Sequence, residues 1–192
     1  MNHASLLHGE RVQLTALNRE DAHIIAGWEQ DTEFLRMLDA SPAQPRGIDE
    51  IMRWMENGQK ARNNFLFGVR TTAISELIGW IELDGIQWTH GSAGVGIAIG
   101  NRDYWGQGYG SEAMVLILQF AFHELNLHSI HLTAFAYNTR AIALYERLGF
   151  RREGAYREYL HRDGQRYDML IYGILRREWE ARNARAAGWQ TT

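Results

Sequence analysis

The chain has 192 residues, of which 45% are hydrophobic and 22% charged, with a formal net charge of -3. That length fits one domain of about 100–200 residues with a sizeable core, and the balance excludes a disordered chain, a coiled coil and a collagen-like repeat. The absence of cysteine removes disulfide scaffolds, thiolate zinc sites and a cysteine nucleophile, and the slightly acidic charge argues against nucleic acid as a partner.

In chain order, Glu10–Leu17 alternates and predicts a strand. Asn18 is the expected N-cap of a helix through Trp28, with Asp21 as its capping-box partner. Thr32–Gly47 carries both prolines and reads as a loop; Ile48–Arg62 has Ile51, Trp54 and Met55 at helical spacing. Phe65–Thr71, Leu77–Leu83 and Val95–Ile99 read as strands, with a turn at Gly85–Gly91. A helix from about Gly108 to Leu125 is apolar almost all round, so it is expected to be buried on most sides. Ser129–Ala136 is a strand, and Asn138–Leu148 is a helix with Asn138 as N-cap and Gly149 at C′. Two long strands follow, about Phe150–His161 and Gln165–Leu175, joined by the turn Asp163-Gly164. From Arg176 the chain is an arginine-rich, polar tail with helical character, so the core is expected over about residues 9–178. Together these elements form a mixed α/β arrangement, a sheet with helices on its faces. Met1–His8 has no signal-peptide pattern, and the apolar run Ala113–Leu118 is far below the roughly 20 residues of a membrane span. A cytoplasmic protein with no membrane partner is expected.

Seven of the 19 glycines lie between Gly91 and Gly110. Gly106, Gly108 and Gly110 alternate where an apolar strand turns into the buried helix. Glycine lets backbone approach a ligand closely, and free N–H groups at a helix start favour an anion. Such a turn suits a phosphate or pyrophosphate. A P-loop would need a lysine after its second glycine, and the only lysine is Lys60. A dinucleotide fingerprint would need G-x-G-x-x-G and an acid about 20 residues on. Here the spacing is G-x-G-x-G, and Leu127–Leu132 holds no acid.

Tyr104-Trp105-Gly106-Gln107-Gly108-Tyr109-Gly110-Ser111-Glu112-Ala113 resembles the acetyl-CoA signature of the GNAT superfamily of N-acetyltransferases, in its RimJ/RimL-type branch. Trp105 stands where that signature usually has Arg or Gln. Asn138 through Phe150 is similar to the family segment N-x-x-A-x-x-x-Y-x-x-x-G-F, and Gly154 with the hairpin Glu158–Asp168 resembles its closing stretch. The resemblance implies a single GNAT-type domain over residues 1–192. It implies a mixed, mostly antiparallel sheet of about seven strands, splayed at a central parallel pair and flanked by about four helices.

It further implies transfer of an acetyl group from acetyl-CoA directly to a primary amine, on a small molecule or a protein N-terminus, with no metal. Trp105, Gly106, Gln107, Gly108, Tyr109, Gly110 and Ser111 would hold the pyrophosphate. Ile97, Ala98 and Ile99 would pair with the pantetheine arm, Asn138 would hydrogen-bond it, and Ala141 belongs to the same cofactor-binding set. Tyr145 would protonate the leaving thiolate; its ordinary pKa of about 10 exceeds that of a thiol. Homodimerisation is also implied.

The general base is the departure. Relatives often carry a glutamate in a pattern like Ala-Glu-x-Gly, but this chain reads Ala93-Gly94-Val95-Gly96. Glu82 and Asp84 on the neighbouring strand are the candidates instead. The glycines Gly91, Gly94, Gly96 and Gly100 could leave space for pantetheine or the acceptor. Among the arginines, Arg147, Arg151 and Arg152 could reach a CoA phosphate. The acceptor pocket is expected between the loop Asp31–Arg46, the turn Asp84–Gly91 and the hairpin tip Leu160–Gln165, with Asp31, Glu33, Asp39, Asp84 and Asp163 as its acidic lining. A non-catalytic acyl-CoA-binding or sensor module is the alternative that Gly94 favours and Tyr145 opposes. A structural oligomeric domain with an empty cradle is the third possibility.

Overall fold

The computed structural model describes residues 6–186. Seven strands form one sheet in the order β1-β2-β3-β4-β5-β7-β6. They are β1 (Val12–Thr15), β2 (Phe65–Thr71), β3 (Leu77–Gln87), β4 (Ser92–Ile99), β5 (Ser129–Phe135), β6 (Arg151–Arg162) and β7 (Gln165–Leu175). Among the described residues only β4 and β5 run parallel. The six helices are α1 (Asp21–Trp28), α2 (Thr32–Leu38), α3 (Ile48–Lys60), α4 (Tyr109–Gln119), α5 (Thr139–Leu148) and α6 (Arg176–Ala186).

Two apolar clusters sandwich the sheet. On one face α4 buries Ala113, Met114, Leu116, Ile117 and Leu118 against Val12, Ile81, Leu83 and Ile130. On the other, Ile25 of α1, Phe34 and Leu35 of α2, and Ile51 and Met55 of α3 pack with Leu66, Trp80 and Ala98. Burying an aliphatic or aromatic side chain contributes about 1.5–3 kcal/mol, so both helical layers are held by their apolar stripes.

Several local expectations need correction. Thr32–Leu38 is a helix, not loop: the Asp31 carboxylate caps it by accepting from Glu33 N at 3.0 Å and Phe34 N at 3.3 Å. Asn18 does not cap α1 with its side chain; the reciprocal bond forms instead, Asn18 N–H donating to Asp21 Oδ2 at 2.7 Å. Strand β3 runs through Gln87, so the turn before β4 is shorter than Gly85–Gly91. The buried helix changes to π geometry over Phe120–Glu124. Trp179 of α6 is 2% exposed and packs beside Phe122. Asp163 and Gly164 both have positive φ, 50° and 77°, as the predicted tight hairpin turn demands.

Candidate active site

The parallel pair β4–β5 comes apart. It is in register only at Ser92–Ser129, Ala93–Ile130 and Gly94–His131. Beyond Gly94 the strands diverge, leaving backbone groups without a sheet partner. Gly100 N–H donates to Ile78 O at 2.9 Å. Since hydrogen-bonded pairs alternate along an antiparallel ladder, Ala98, Gly96 and Gly94 turn their backbone to β3, whereas Ile97 and Ile99 turn theirs into the gap. The Ile99 carbonyl is already taken, because the Trp105 indole donates to it at 2.6 Å. Of the three residues expected to pair with pantetheine, Ile97 therefore offers both its backbone groups, Ile99 only its N–H, and Ala98 is committed to β3.

The glycine turn lies at the mouth of this gap. Gly106 and Gly108 have φ of 73° and 90°, a left-handed conformation that a side chain resists. Gly108 is the N-cap of α4, so the first amides of that helix have no intrahelical partner. A Cβ on Gly106 would touch nothing within 4 Å, which leaves the amide ridge open to a ligand. Arg11 braces the turn from below: Nη1 donates to Gln107 O at 2.9 Å, while its backbone N–H and Nε reach Glu112 at 2.9 and 3.3 Å. Tyr109 packs edge-on to Tyr104, at 4.9 Å between ring centroids, beneath the Arg11 guanidinium.

A cavity of about 900 Å³ occupies the gap and extends under α2 and α3. Its cofactor half is lined by Ile97, Ala98, Ile99, Trp105, Gly106, Gly108, Gly110, Ser111, Asn138 and Ala141. Asn138 caps α5, accepting from Ala141 N at 3.2 Å through Oδ1, and its amide NH2 is left for a ligand. The Arg140 guanidinium lies over Trp105, 3.9 Å from the ring centroid, and Arg102 sits 4.9 Å away. Arg102 is engaged by Asp31 and Glu33; Arg140 has no carboxylate partner among the described ion pairs.

Tyr145 and Glu82 both line the cavity. Tyr145 is 8% exposed, and its hydroxyl has no hydrogen-bond partner among the described residues. Burial pushes its pKa up to about 12, so the phenol stays protonated. Glu82 faces Gly96, whose missing side chain leaves Glu82 Oε1 about 3.5 Å from where a Cβ would stand. Burial, and then the negative charge of Asp84, raise the Glu82 pKa above the ordinary carboxylate value; a weak bond from Asn64 at 3.5 Å opposes this. The acceptor half adds Phe34, Leu35, Trp54 and Trp80, with Trp54 and Trp80 edge to face at 5.1 Å. Beneath them the Arg46 guanidinium and backbone N–H bind Glu29, which is 1% exposed.

Residues 11–151 match the family described as the acetyltransferase (GNAT) domain. The chain belongs to that family. As a GNAT protein it is an enzyme, an N-acetyltransferase. It is 31% identical over 172 residues, 90% of this chain and 94% of the relative, to the SPbeta prophage-derived uncharacterized N-acetyltransferase YokL of Bacillus subtilis. It is 25% identical to the [Ribosomal protein uS5]-alanine N-acetyltransferase of Escherichia coli over 83% of this chain and 79% of that one. Spermidine N-acetyltransferase from Vibrio cholerae, solved with CoA and spermine, superposes with a TM-score of 0.79 at 27% identity. That match covers 88% of this chain and 98% of the other.

The GNAT frame shows which expected residues gather and which do not. Gln107 and Tyr109 are outside the main cavity; Gln107 lines a shallower depression of about 490 Å³ with Arg11 and Arg147. Asp84 is exposed and absent from the cavity wall. Gly94 and Gly100 leave no room for ligand, because a Cβ on each would collide with Asp84 Oδ1 and the Trp28 ring respectively. Arg147 does reach the cavity, whereas Arg151 pairs with Glu178 at 3.1 Å and Arg152 turns back to Gly154 O. The expected acidic lining reduces to Asp39: Asp31 and Glu33 are held by Arg102, and Asp163 by Arg36. Neither the turn after Asp84 nor the hairpin tip lines the cavity; the carboxylates that do are Glu29, Asp39, Glu50 and Glu82. Arg11, Arg140, Trp54 and Trp80 escaped sequence reasoning, since nothing local in their segments marks them as facing a shared cleft.

Proposed function

We propose that the protein transfers the acetyl group of acetyl-CoA to a primary amine, with Glu82 as general base and Tyr145 as general acid. One observation carries this: a single cavity joins the unpaired edge of β4, the glycine turn, the Tyr145 hydroxyl and the half-buried Glu82 carboxylate. The residues fit the cosubstrate. Open amides at Gly106, Gly108 and Ser111 suit a pyrophosphate, with Arg140 and Arg147 as cations nearby, and the Ile97 backbone suits an amide-bearing arm. When bound, acetyl-CoA supplies an activated thioester carbonyl.

The protein's own groups handle the protons. An alkylammonium has a pKa near 10 and must lose a proton before it can attack. Glu82 accepts that proton, and its raised pKa makes it a better base than an ordinary exposed carboxylate. Tyr145 keeps its proton at every physiological pH and presents it to the cavity. The acceptor half suits a cationic amine, with Glu50, Asp39 and Glu82 in its wall and two tryptophans beside them. The comparisons go with an enzyme rather than with a non-catalytic binding module.

We take the enzyme to be a cytoplasmic homodimer of one domain. The cysteine-free chain and the outer edge strand β6, which exposes Tyr156 and Tyr159, support that view. No helix among the described residues is long and apolar enough to cross a membrane. The test of function is thiol release from acetyl-CoA with a panel of primary amines; thermal stabilisation by acetyl-CoA without amine-dependent release would favour the binding module.

A further inference from the structure

The segment between α2 and α3, residues 39–47, has no helix or strand of its own. Nevertheless Asp39, Ser41, Pro42, Gln44, Pro45 and Arg46 form one wall of the cavity. This strap is pinned at both ends. At its start, Arg162 at the end of β6 donates from Nη2 to the carbonyls of Asp39, Ala40 and Ser41, at 3.2, 3.2 and 2.9 Å. The same hairpin tip gives Asp163, which pairs with Arg36 at 2.5 Å, and the Tyr137 hydroxyl donates to Arg36 O at 2.5 Å. At its end, Arg46 is locked to Glu29.

The strand order gives these pins a meaning. Helices α1, α2 and α3 pack on the β2–β3 half of the sheet, and β6 and β7 make up the opposite edge. The gap between β4 and β5 lies in between. A strap that leaves α2 and is fastened to the β6–β7 tip therefore bridges the acceptor half of the cavity. Arg162 does not line that cavity. Its Nε is buried without a partner among the described residues, and its Nη2 is committed to three backbone carbonyls, where a cation binds strongly and holds a chain segment by geometry.

We propose that Arg162 is a positioning residue that latches the strap over the acceptor half, making a chamber for small primary amines with an apolar body and excluding the N-terminus of a peptide. The inference rests on the N-acetyltransferase reading above. The chamber walls are Phe34, Leu35, Trp54 and Trp80, with Glu50 and Glu82 as its carboxylates. Apolar walls with a few placed charges select a compact cation.

The test compares wild type with Arg162→Ala and Arg162→Lys. Hydrogen exchange of the amides in residues 39–46 reads the latch without turnover, and steady-state kinetics read its effect. Small alkyl- and arylalkylamines are compared with a pentapeptide bearing a free N-terminus. Wild type is expected to favour the best small amine over the peptide by about 100-fold in kcat/KM. Arg162→Ala is expected to speed exchange in the strap, raise the amine KM about 10-fold and leave the acetyl-CoA KM within about two-fold. It also narrows the preference for small amines, and Arg162→Lys falls between. Unchanged strap exchange, an equal rise in both KM values, or a wild type that prefers the peptide overturns the proposal. Faster strap exchange in a protein that acetylates no amine would sink the N-acetyltransferase reading and leave the latch standing.

Discussion

Asp84 lays its carboxylate over Gly94. The two face each other across β3 and β4, and a Cβ on Gly94 would collide with Asp84 Oδ1. The glycine that interrupts the family's Ala-Glu-x-Gly pattern is thus the residue that makes room for a carboxylate from the next strand. Two residues along, Glu82 faces Gly96 in the same way but with its head in the cavity. The sheet brings acidic groups to this face from β3, where relatives often bring one from β4.

Asp84 raises the Glu82 pKa by like-charge repulsion, so its removal should act on Glu82 rather than on the substrate. Asp84→Asn is expected to move the acid limb of the kcat/KM profile to lower pH and to retain most of the activity at pH 8. Because Asp84 is exposed, the shift should shrink in high salt. A pH–rate series at two ionic strengths checks this; a loss of activity at every pH would instead make Asp84 itself the base.

Glu82→Gln should abolish most turnover while making the fold more stable near neutral pH. The sign follows from a folded-state pKa above the ordinary glutamate value of 4.5. The cost of burying the charge is absent below that value and grows as pH rises through the folded pKa. Thermal melts should therefore show little difference at pH 4. At pH 8 the variant should melt at a higher temperature than wild type. A variant less stable than wild type at pH 8 would contradict the burial argument.

Tyr145→Phe removes a hydroxyl that bonds to nothing among the described residues and leaves the ring packed near Phe150 and Tyr172. Its melting temperature should stay close to that of wild type. Its kcat should fall about 10²-fold, the lower range for a general acid, with the acetyl-CoA KM nearly unchanged. Stopped-assay thiol release gives both constants, and an unaltered kcat would remove the phenol from the chemistry.

Gly108→Ala should weaken acetyl-CoA binding. The residue has φ of 90°, which costs an L side chain about 1–2 kcal/mol, and the new Cβ would stand 2.8 Å from Arg11 Nη2. Displacing Arg11 loosens its bond to Gln107 O and with it the turn. A raised acetyl-CoA KM with a lower melting temperature is the expected pair of results in calorimetry and kinetics. Gly106→Ala carries the same φ strain but meets no neighbour, so it should cost less stability.

Much of this was legible along the chain because it is local. The strand–glycine–helix order, the Asn138 cap, the αL Gly149 and the Asp163-Gly164 turn depend on neighbours in sequence, and the structure has all of them. What sequence could not supply is what crosses the sheet. Asp31, Glu33 and Asp163 looked like an acceptor lining because they sit in loops, yet each is neutralised by an arginine at least 69 positions away. Ala98 looked equivalent to Ile97 and Ile99, but ladder parity turns its backbone the other way. Arg11 was invisible as a brace of the glycine turn because 96 residues separate it from Gln107.

The most direct test is amine-dependent release of CoA thiol from acetyl-CoA by the wild-type protein, followed from pH 5 to pH 9. Release is predicted with small primary amines, rising through a pKa above that of an ordinary glutamate, with the rise lost in Glu82→Gln. No release with any primary amine at saturating acetyl-CoA, across that range, would contradict the assignment.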